Sequence, residues 1–237
     1  MALEELGLPY TTHKIDISKN TQKEPWFLEI NPNGRIPAIT DVLTTPDGKS
    51  EKIRVFESAS ILLYLVDQYD PEYKLSYPRG TKEYYEMVNW LMFQNAQLGP
   101  MQGQANHFHR YAPEKIKYAE DRYINETRRV YKVLDLHFEK TGNEYLVGNK
   151  CTIADVTTVG WVTWCAWAGV NIDEFPSLEK WQKRMIARPA IAKGNDVPHP
   201  SKLRDILGDD KKMDEYAAHS REWILKGMKD DEKKEKK

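Results

Sequence analysis

Two short stretches of this 237-residue chain carry residue types from which a site for a small zwitterion can be built. The first reads "NPNGRIPAI", residues 31–39. A residue–Pro bond set between a Gly-containing turn and a strand is a candidate cis peptide. A bend there leaves the N–H and C=O of Ile36 facing outward, ahead of Pro37, where an extended peptide can pair with them as an added strand. The second stretch reads "FESASI", residues 56–61. Glu57 ends a strand and Ser58 caps the next helix, so the first N–H groups of that helix and the Ser58 hydroxyl can hold a carboxylate. Glu57 can pair with an ammonium. An amine, a carboxylate and a peptide backbone are thus all provided for, and a γ-glutamyl peptide has all three. Each stretch taken singly also has a plainer reading: Ser58 as a simple N-cap, Glu57 as a strand-edge charge, "NPNGR" as a turn.

These residues need elements to hold them. "MALEELGLPY" reads as the last turns of a helix, stopped by Gly7 and Pro9. "YTTHKIDIS" alternates Ile15 and Ile17 with polar residues, as a half-buried strand does. "EPWFLEI" is a short helical turn. "IPAI" and "KIRVFE", separated by "TTPDGK", form a hairpin. "SASILLYLVDQY" puts Ile61, Leu62, Leu65 and Val66 on one helical face. The first domain is therefore an α+β unit over residues 1–70, and "DPEYKLSYPRG" supplies a linker at 71–80.

Residues 81–228 read as helical throughout. Gly99-Pro100 must kink or interrupt the helix that starts near Thr81, because proline removes an interior hydrogen bond. A helix over 114–140 carries Ile116, Tyr123, Val130, Leu134 and Phe138. Thr152 and Asp155 form an acidic variant of the capping box ahead of an apolar helix. Another helix starts at Ser177 and buries Leu178, Trp181 and Met185, and a last one carries Tyr216, Trp223 and Leu225. The charge run at 229–237 has nothing to bury and is expected to be disordered.

Composition narrows the function classes. Thirty-five basic and thirty-six acidic residues leave a formal net charge of -1, so no excess of positive charge points to nucleic acid or a membrane surface. The longest uncharged stretch, 156–172, is too short and too rich in Thr and Asn to span a bilayer. Cys151 and Cys165 form no C-x-x-C, and His107 and His109, two apart, point to different sides of a helix, so no metal site is expected. Cys165 reads as an inert core thiol.

"INPNGRIPAI", "FESASILLYL" and "CTIADVT" resemble signature segments of cytosolic glutathione transferases. Within them the chain is most similar to the fungal branch related to the nitrogen-catabolite regulator, whose members often read "EPWFLKINPNGRIPAL". The resemblance runs in order from residue 1 to about residue 228. It implies a thioredoxin-like N-terminal domain, an all-α C-terminal domain and a cytoplasmic homodimer with glutathione as co-substrate. The backbone of Ile36 would pair with the cysteinyl unit of glutathione, and Glu57 and Ser58 would hold its γ-glutamyl end. Arg35, with Gln22 or Lys23 of "TQKEPWF", would lie near the glycyl carboxylate. Against that pattern the chain is expected to lack the first strand, the loop that handles the thiol and much of the first helix. No residue is assigned as catalytic.

Two functions follow from the resemblance. One is an enzyme that adds the glutathione thiol to a small electrophile, or reduces a peroxide or mixed disulfide, with activity impaired by the missing loop. The other is a non-catalytic regulator or ligand carrier of the same fold.

Overall fold

The computed structural model describes every residue except Pro46, Lys236 and Lys237, and leaves out the side chains of Lys202, Leu203 and residues 228–235. Ten α-helices and two strands are formed among the described residues. The N-terminal part comprises α1 (Ala2–Leu6), α2 (Pro25–Ile30), β1 (Ala38–Thr44), β2 (Ser50–Phe56) and α3 (Ser58–Tyr69). The helical part comprises α4 (Lys82–Phe93), α5 (Gly99–Asn106), α6 (Lys117–Thr141), α7 (Ile153–Val162), α8 (Pro176–Ile186), α9 (Pro189–Asn195) and α10 (Asp210–Glu235).

β1 and β2 pair antiparallel, with Ala38 opposite Phe56 and Thr44 opposite Ser50. The turn closes through Gly48, whose φ of 80° suits glycine, and through the Thr45 N–H, which donates to Lys49 O at 2.8 Å. Ile39 and Val55, paired in register, pack on the core that α3 fills with Ala59, Ile61, Leu62, Leu65 and Val66. α2 packs on the same hairpin, and the Arg54 guanidinium holds the Glu29 carbonyl at the end of α2.

α1 ends as its sequence predicts: Gly7 takes a left-handed φ of 68°, and Leu8 N–H reaches back to Leu3 O at 2.9 Å. Five residues are too few for a helix to persist alone. Docking against α9 holds it, through the Glu5–Arg188 pair at 2.7 and 2.8 Å and the Glu4–Lys193 pair at 2.7 Å.

The segment expected as a strand, with Ile15 and Ile17, forms none. It runs as irregular chain into a 3₁₀ turn at Ile17–Lys19, with Ile17 exposed. The hairpin is the whole sheet among the described residues, so the alternating pattern finds no neighbouring strand to complete its hydrogen bonds. Alternation describes a strand only when a partner exists.

The linker is tied down rather than loose. Asp70, buried, accepts from the N–H groups of Lys74 (2.6 Å) and Leu75 (2.9 Å) and from Ser76 Oγ (2.7 Å). Ile153 N–H donates to Leu75 O at 2.9 Å, which joins the linker to the first turn of α7.

In the helical part, α4 and α5 are joined through a π-helical segment at Gln94–Leu98, which is how the chain accommodates Pro100 without a break. A second π segment, His107–Tyr111, ends that rod. α6 begins three residues later than the pattern suggested and buries Thr127, Val130, Tyr131, Leu134 and Phe138 along one face. The capping box at Thr152 and Asp155 is present. α8 buries Leu178, Trp181 and Met185, but Pro176 opens it and its N-terminus is held by Asp135 of α6. The Asp135 carboxylate accepts from Ser177 N–H at 2.8 Å and Leu178 N–H at 3.2 Å. α10 docks on Trp167 through Met213 and Ala217, and Tyr216, 40% exposed, meets the same ring edge-on. The run from 229, expected to be unstructured, continues α10 to Glu235; Lys236 and Lys237 lie outside the described residues. Lys and Glu are good helix formers and extend a helix already nucleated by packing.

Candidate functional site

The hairpin register decides where the predicted residues fall. Ala38 pairs with Phe56 at the end of the ladder, so Pro37, just before β1, and Glu57, just after β2, leave the sheet at the same end. The two chemistry-bearing stretches therefore meet at one end of the hairpin.

The loop before β1 is built on Asn31, which is 1% exposed. Its Nδ2 donates to Arg35 O at 2.7 Å, its Oδ1 accepts from Asn33 N–H at 3.0 Å, and its carbonyl accepts from Gly34 N–H at 2.8 Å. One buried amide thus closes the five-residue turn. Gly34 has φ 60°, and a Cβ there would stand 2.9 Å from Gln22 O and 3.1 Å from Leu28 Cδ2. Only glycine lets the loop press against the Gln22–Lys23 segment. The Lys23 ammonium completes that junction by donating to Asn33 O at 3.4 Å.

The Ile36–Pro37 peptide bond is cis. Ile36 is half exposed, and its N–H and C=O have no backbone hydrogen bond among the described residues. Across from it, the sequence reading needs correction. Ser58 is the first residue of α3, and the cap position belongs to Glu57, at φ 68° and ψ 123°. A non-glycine residue in that region carries about 1–3 kcal/mol of backbone strain and is held there by its surroundings. The shift by one residue leaves the Ser58 hydroxyl and the N–H groups of Ser58, Ala59 and Ser60 without a protein partner among the described residues. Such a helix start attracts negative charge.

Charge completes the picture. Lys23, Arg35 and Glu57 take part in no ion pair among the described residues, although many other charged groups do. Lys23 lies against the loop that carries Arg35, and Glu57 follows the end of β2 that pairs with the start of β1. Gln22 contributes an amide whose Oε1 is buried without a partner while its Nε2 reaches Asn20 Oδ1 at 3.4 Å. Gln22 and Lys23 touch the loop that carries Arg35, Ile36 and Pro37 through Gly34, and Glu57 and Ser58 follow β2 where it pairs with the start of β1; Arg35, Ile36, Pro37 and Glu57 are exposed, and Gln22, Lys23 and Ser58 are half-buried. The grooves elsewhere, one of about 610 Å³ beside Tyr10 and Lys193 and one of about 260 Å³ beside Tyr77 and Tyr84, include none of them.

Asn31 is the residue that sequence reasoning missed. Its signal was an Asn between a short helix and a Pro, where a side-chain amide closes a turn on its own backbone.

The protein's own thiols stand apart from this surface. Burial pushes the Cys165 thiol up to about 11, and burial with Asp155 nearby raises that of Cys151 as well. Neither is poised as a thiolate. His109 is engaged with Glu120 at 2.7 Å, and His107 packs edge-on to Phe108.

The chain matches two family models: "Glutathione S-transferase, N-terminal domain" over residues 1–68 and "Glutathione S-transferase, C-terminal domain" over residues 85–189. It is 40% identical over 205 residues to a glutathione S-transferase-like protein, gedE, of Aspergillus terreus, covering 81% of this chain and 85% of that one. Among solved structures, a glutathione transferase homolog from Lodderomyces elongisporus with two GSH per subunit superposes with a TM-score of 0.77 at 44% identity, covering 83% of this chain and 90% of that one. The transferase URE2P6 of Phanerochaete chrysosporium, in complex with oxidized glutathione, gives 0.73 at 42% identity over 81% of this chain and 86% of that one. With a thioredoxin-like first part, a helical second part and both family segments in place, the chain belongs to the glutathione S-transferase family, in its Ure2-related fungal branch.

Proposed function

We propose that this protein binds glutathione at the open end of the hairpin, with the γ-glutamyl unit on Glu57 and the start of α3. The carrying observation is the coincidence of four unengaged features, the free Ile36 backbone, the unpartnered start of α3 with Ser58, and the unpaired charges of Glu57 and Arg35, beside Lys23, which has no ion-pair partner among the described residues. Glu57 would receive the ammonium, and the Ser58 hydroxyl and first N–H groups of α3 the α-carboxylate. The cysteinyl backbone would pair with Ile36 beside Pro37. Lys23, Arg35 and the Gln22 amide would meet the glycyl carboxylate.

The chemistry proposed is that of the bound thiol itself. With both protein cysteines buried and raised, attack on a small electrophile, a peroxide or a mixed disulfide falls to glutathione sulfur. A free thiol of pKa ~8.5 is mostly protonated at neutral pH, so turnover needs a donor that favours the thiolate. The seven residues supply binding contacts and no assigned proton handler, so we place binding ahead of turnover. The second reading, a glutathione-binding regulator or carrier, shares that binding step and differs only in turnover. A cytoplasmic homodimer is proposed on family resemblance. No helix among the described residues is long and apolar enough to cross a membrane.

Calorimetric titration with glutathione tests the proposal on the unaltered chain, Ser58→Ala and Glu57→Gln. Saturable binding weakened at least about threefold by each substitution supports it, since each removes one polar contact. Equal affinity in all three would refute the assignment. A conjugation assay with a standard electrophile then separates enzyme from carrier.

A further inference from the structure

α10 connects two distant parts of the molecule. Its first turns are fixed to the helical domain by Arg110, a guanidinium with a side chain only 2% exposed. Arg110 donates to Asp214 at 2.5 Å, to Asp210 at 2.9 Å and to the Trp167 carbonyl at 3.3 Å, and lies over the Trp167 ring. Arg221, two turns further on, donates to the Arg110 carbonyl at 3.0 Å. Met213 and Ala217 fill the space against Trp167. A buried guanidinium needs these acceptors, so the clasp is well defined.

Beyond the clasp, α10 leaves the bundle and packs on the 3₁₀ turn Ile17–Lys19 of the N-terminal part. Gly227 faces Asn20 across ordinary van der Waals distance: an added Cβ would lie 3.6 Å from Asn20 Oδ1 and 3.9 Å from its Nδ2, so a larger side chain there has to displace one of the two segments. Asn20 caps that turn in a left-handed conformation and accepts from the Gln22 amide. Gln22 and Lys23 follow directly, against Gly34.

We propose that α10 is a strap whose Arg110 clasp and Gly227 contact position Gln22 and Lys23, and so set recognition of the glycyl end of glutathione. This inference rests on the glutathione-binding reading above. The residues involved are positioning residues: none of Arg110, Asp210, Asp214 or Gly227 belongs to the seven that would touch the ligand. The strap acts on one end of the site, because Glu57 and Ser58 are held by the hairpin and α3 instead.

That one-sidedness is what the experiment reads. Dissociation constants for glutathione and for γ-glutamylcysteine, which lacks glycine, are measured on the unaltered chain, on an Asp210→Ala, Asp214→Ala double variant, which removes both acceptors of Arg110 on α10, and on Gly227→Leu. The double variant opens the clasp; Gly227→Leu leaves the clasp intact and wedges α10 away from Asn20. Both variants are expected to weaken glutathione by about 3- to 10-fold, as one charge-assisted contact is loosened, and to change the dipeptide less than about twofold. Equal weakening of both ligands, or no change in either, would overturn the strap while leaving glutathione binding standing. Failure of the unaltered chain to bind glutathione would overturn the binding reading and the strap with it.

Discussion

Asn31→Ala should damage the site more than any substitution of comparable size at its surface. The side chain is buried and makes two hydrogen bonds inside the turn, at 2.7 and 3.0 Å. At about 1 kcal/mol net for each, the loss is about 2 kcal/mol. Arg35 and Asn33 are exposed, so water can reach their freed backbone groups and the larger penalty for buried orphans does not apply. For a chain of this size that loss lowers the melting temperature by about 4–8 °C. It also falls on the loop that carries Arg35 and Ile36. A loop ordered only part of the time raises the apparent dissociation constant by the inverse of its ordered fraction, which for 2 kcal/mol is at most about 30-fold. Asn31→Asp sharpens the test: it keeps an acceptor for Asn33 N–H but turns a carboxylate toward the Arg35 carbonyl, so at neutral pH it should bind no better than Asn31→Ala. Thermal unfolding followed by circular dichroism and glutathione titration give both numbers. Binding within twofold of the unaltered chain, with an unchanged melting temperature, would refute the role given to Asn31.

Other predictions follow from the same geometry. Asp155→Ala leaves Leu146 N–H, Thr152 N–H and Oγ, and Trp181 Nε1 without their buried acceptor, and should cost about 3–5 kcal/mol in urea unfolding; a loss under about 1 kcal/mol would contradict the capping role. A thiol reagent at pH 8 should leave Cys151 and Cys165 untouched in the folded chain and modify both after unfolding, since burial raises both thiols. Rapid modification under native conditions would show the thiols to be accessible. At Asp41 burial favours the neutral carboxyl, but hydrogen bonds from Tyr69, Val42 N–H and Tyr64 outweigh it and hold the group below its ordinary 3.8. A depressed carboxyl stabilises the fold above its unfolded value and loses that contribution as pH falls through the folded one. Stability should therefore drop below about pH 4 less steeply in Tyr64→Phe, Tyr69→Phe than in the parent, as measured by urea midpoints; parallel slopes would contradict the clamp.

Local signals carried the hairpin, α3, the capping box and α8, because turn residues, helical periodicity and an N3 carboxylate act within a few positions. Long-range partners decided what failed. Ile15 and Ile17 alternate as a strand does, yet pairing is supplied from elsewhere in the chain and is not encoded in the pattern itself. Ser58 has the composition of an N-cap, but the bend through Glu57 at φ 68° moves the helix start by one residue, and that conformation has no composition signal for Glu. The start of α8 depends on Asp135, some forty residues earlier, so Ser177 looked sufficient. Of the seven candidate residues, Ile36, Pro37, Glu57 and Ser58 were legible from their types and spacing, and Gln22, Lys23 and Arg35 came from the family resemblance alone. The meeting of the two stretches at one end of the hairpin needed the register, and the loop's anchor, Asn31, needed its burial.

The most direct test of the central claim is a residue-resolved one: titrate the isotope-labelled chain with glutathione and follow backbone amide shifts. The account predicts that Gln22, Lys23, Gly34, Arg35, Ile36, Glu57 and Ser58 move together on one saturable curve, with the ends of α6 and α8 unchanged. Saturable shifts confined to the groove beside Tyr77 and Tyr84, or no saturable shifts at all, would contradict it.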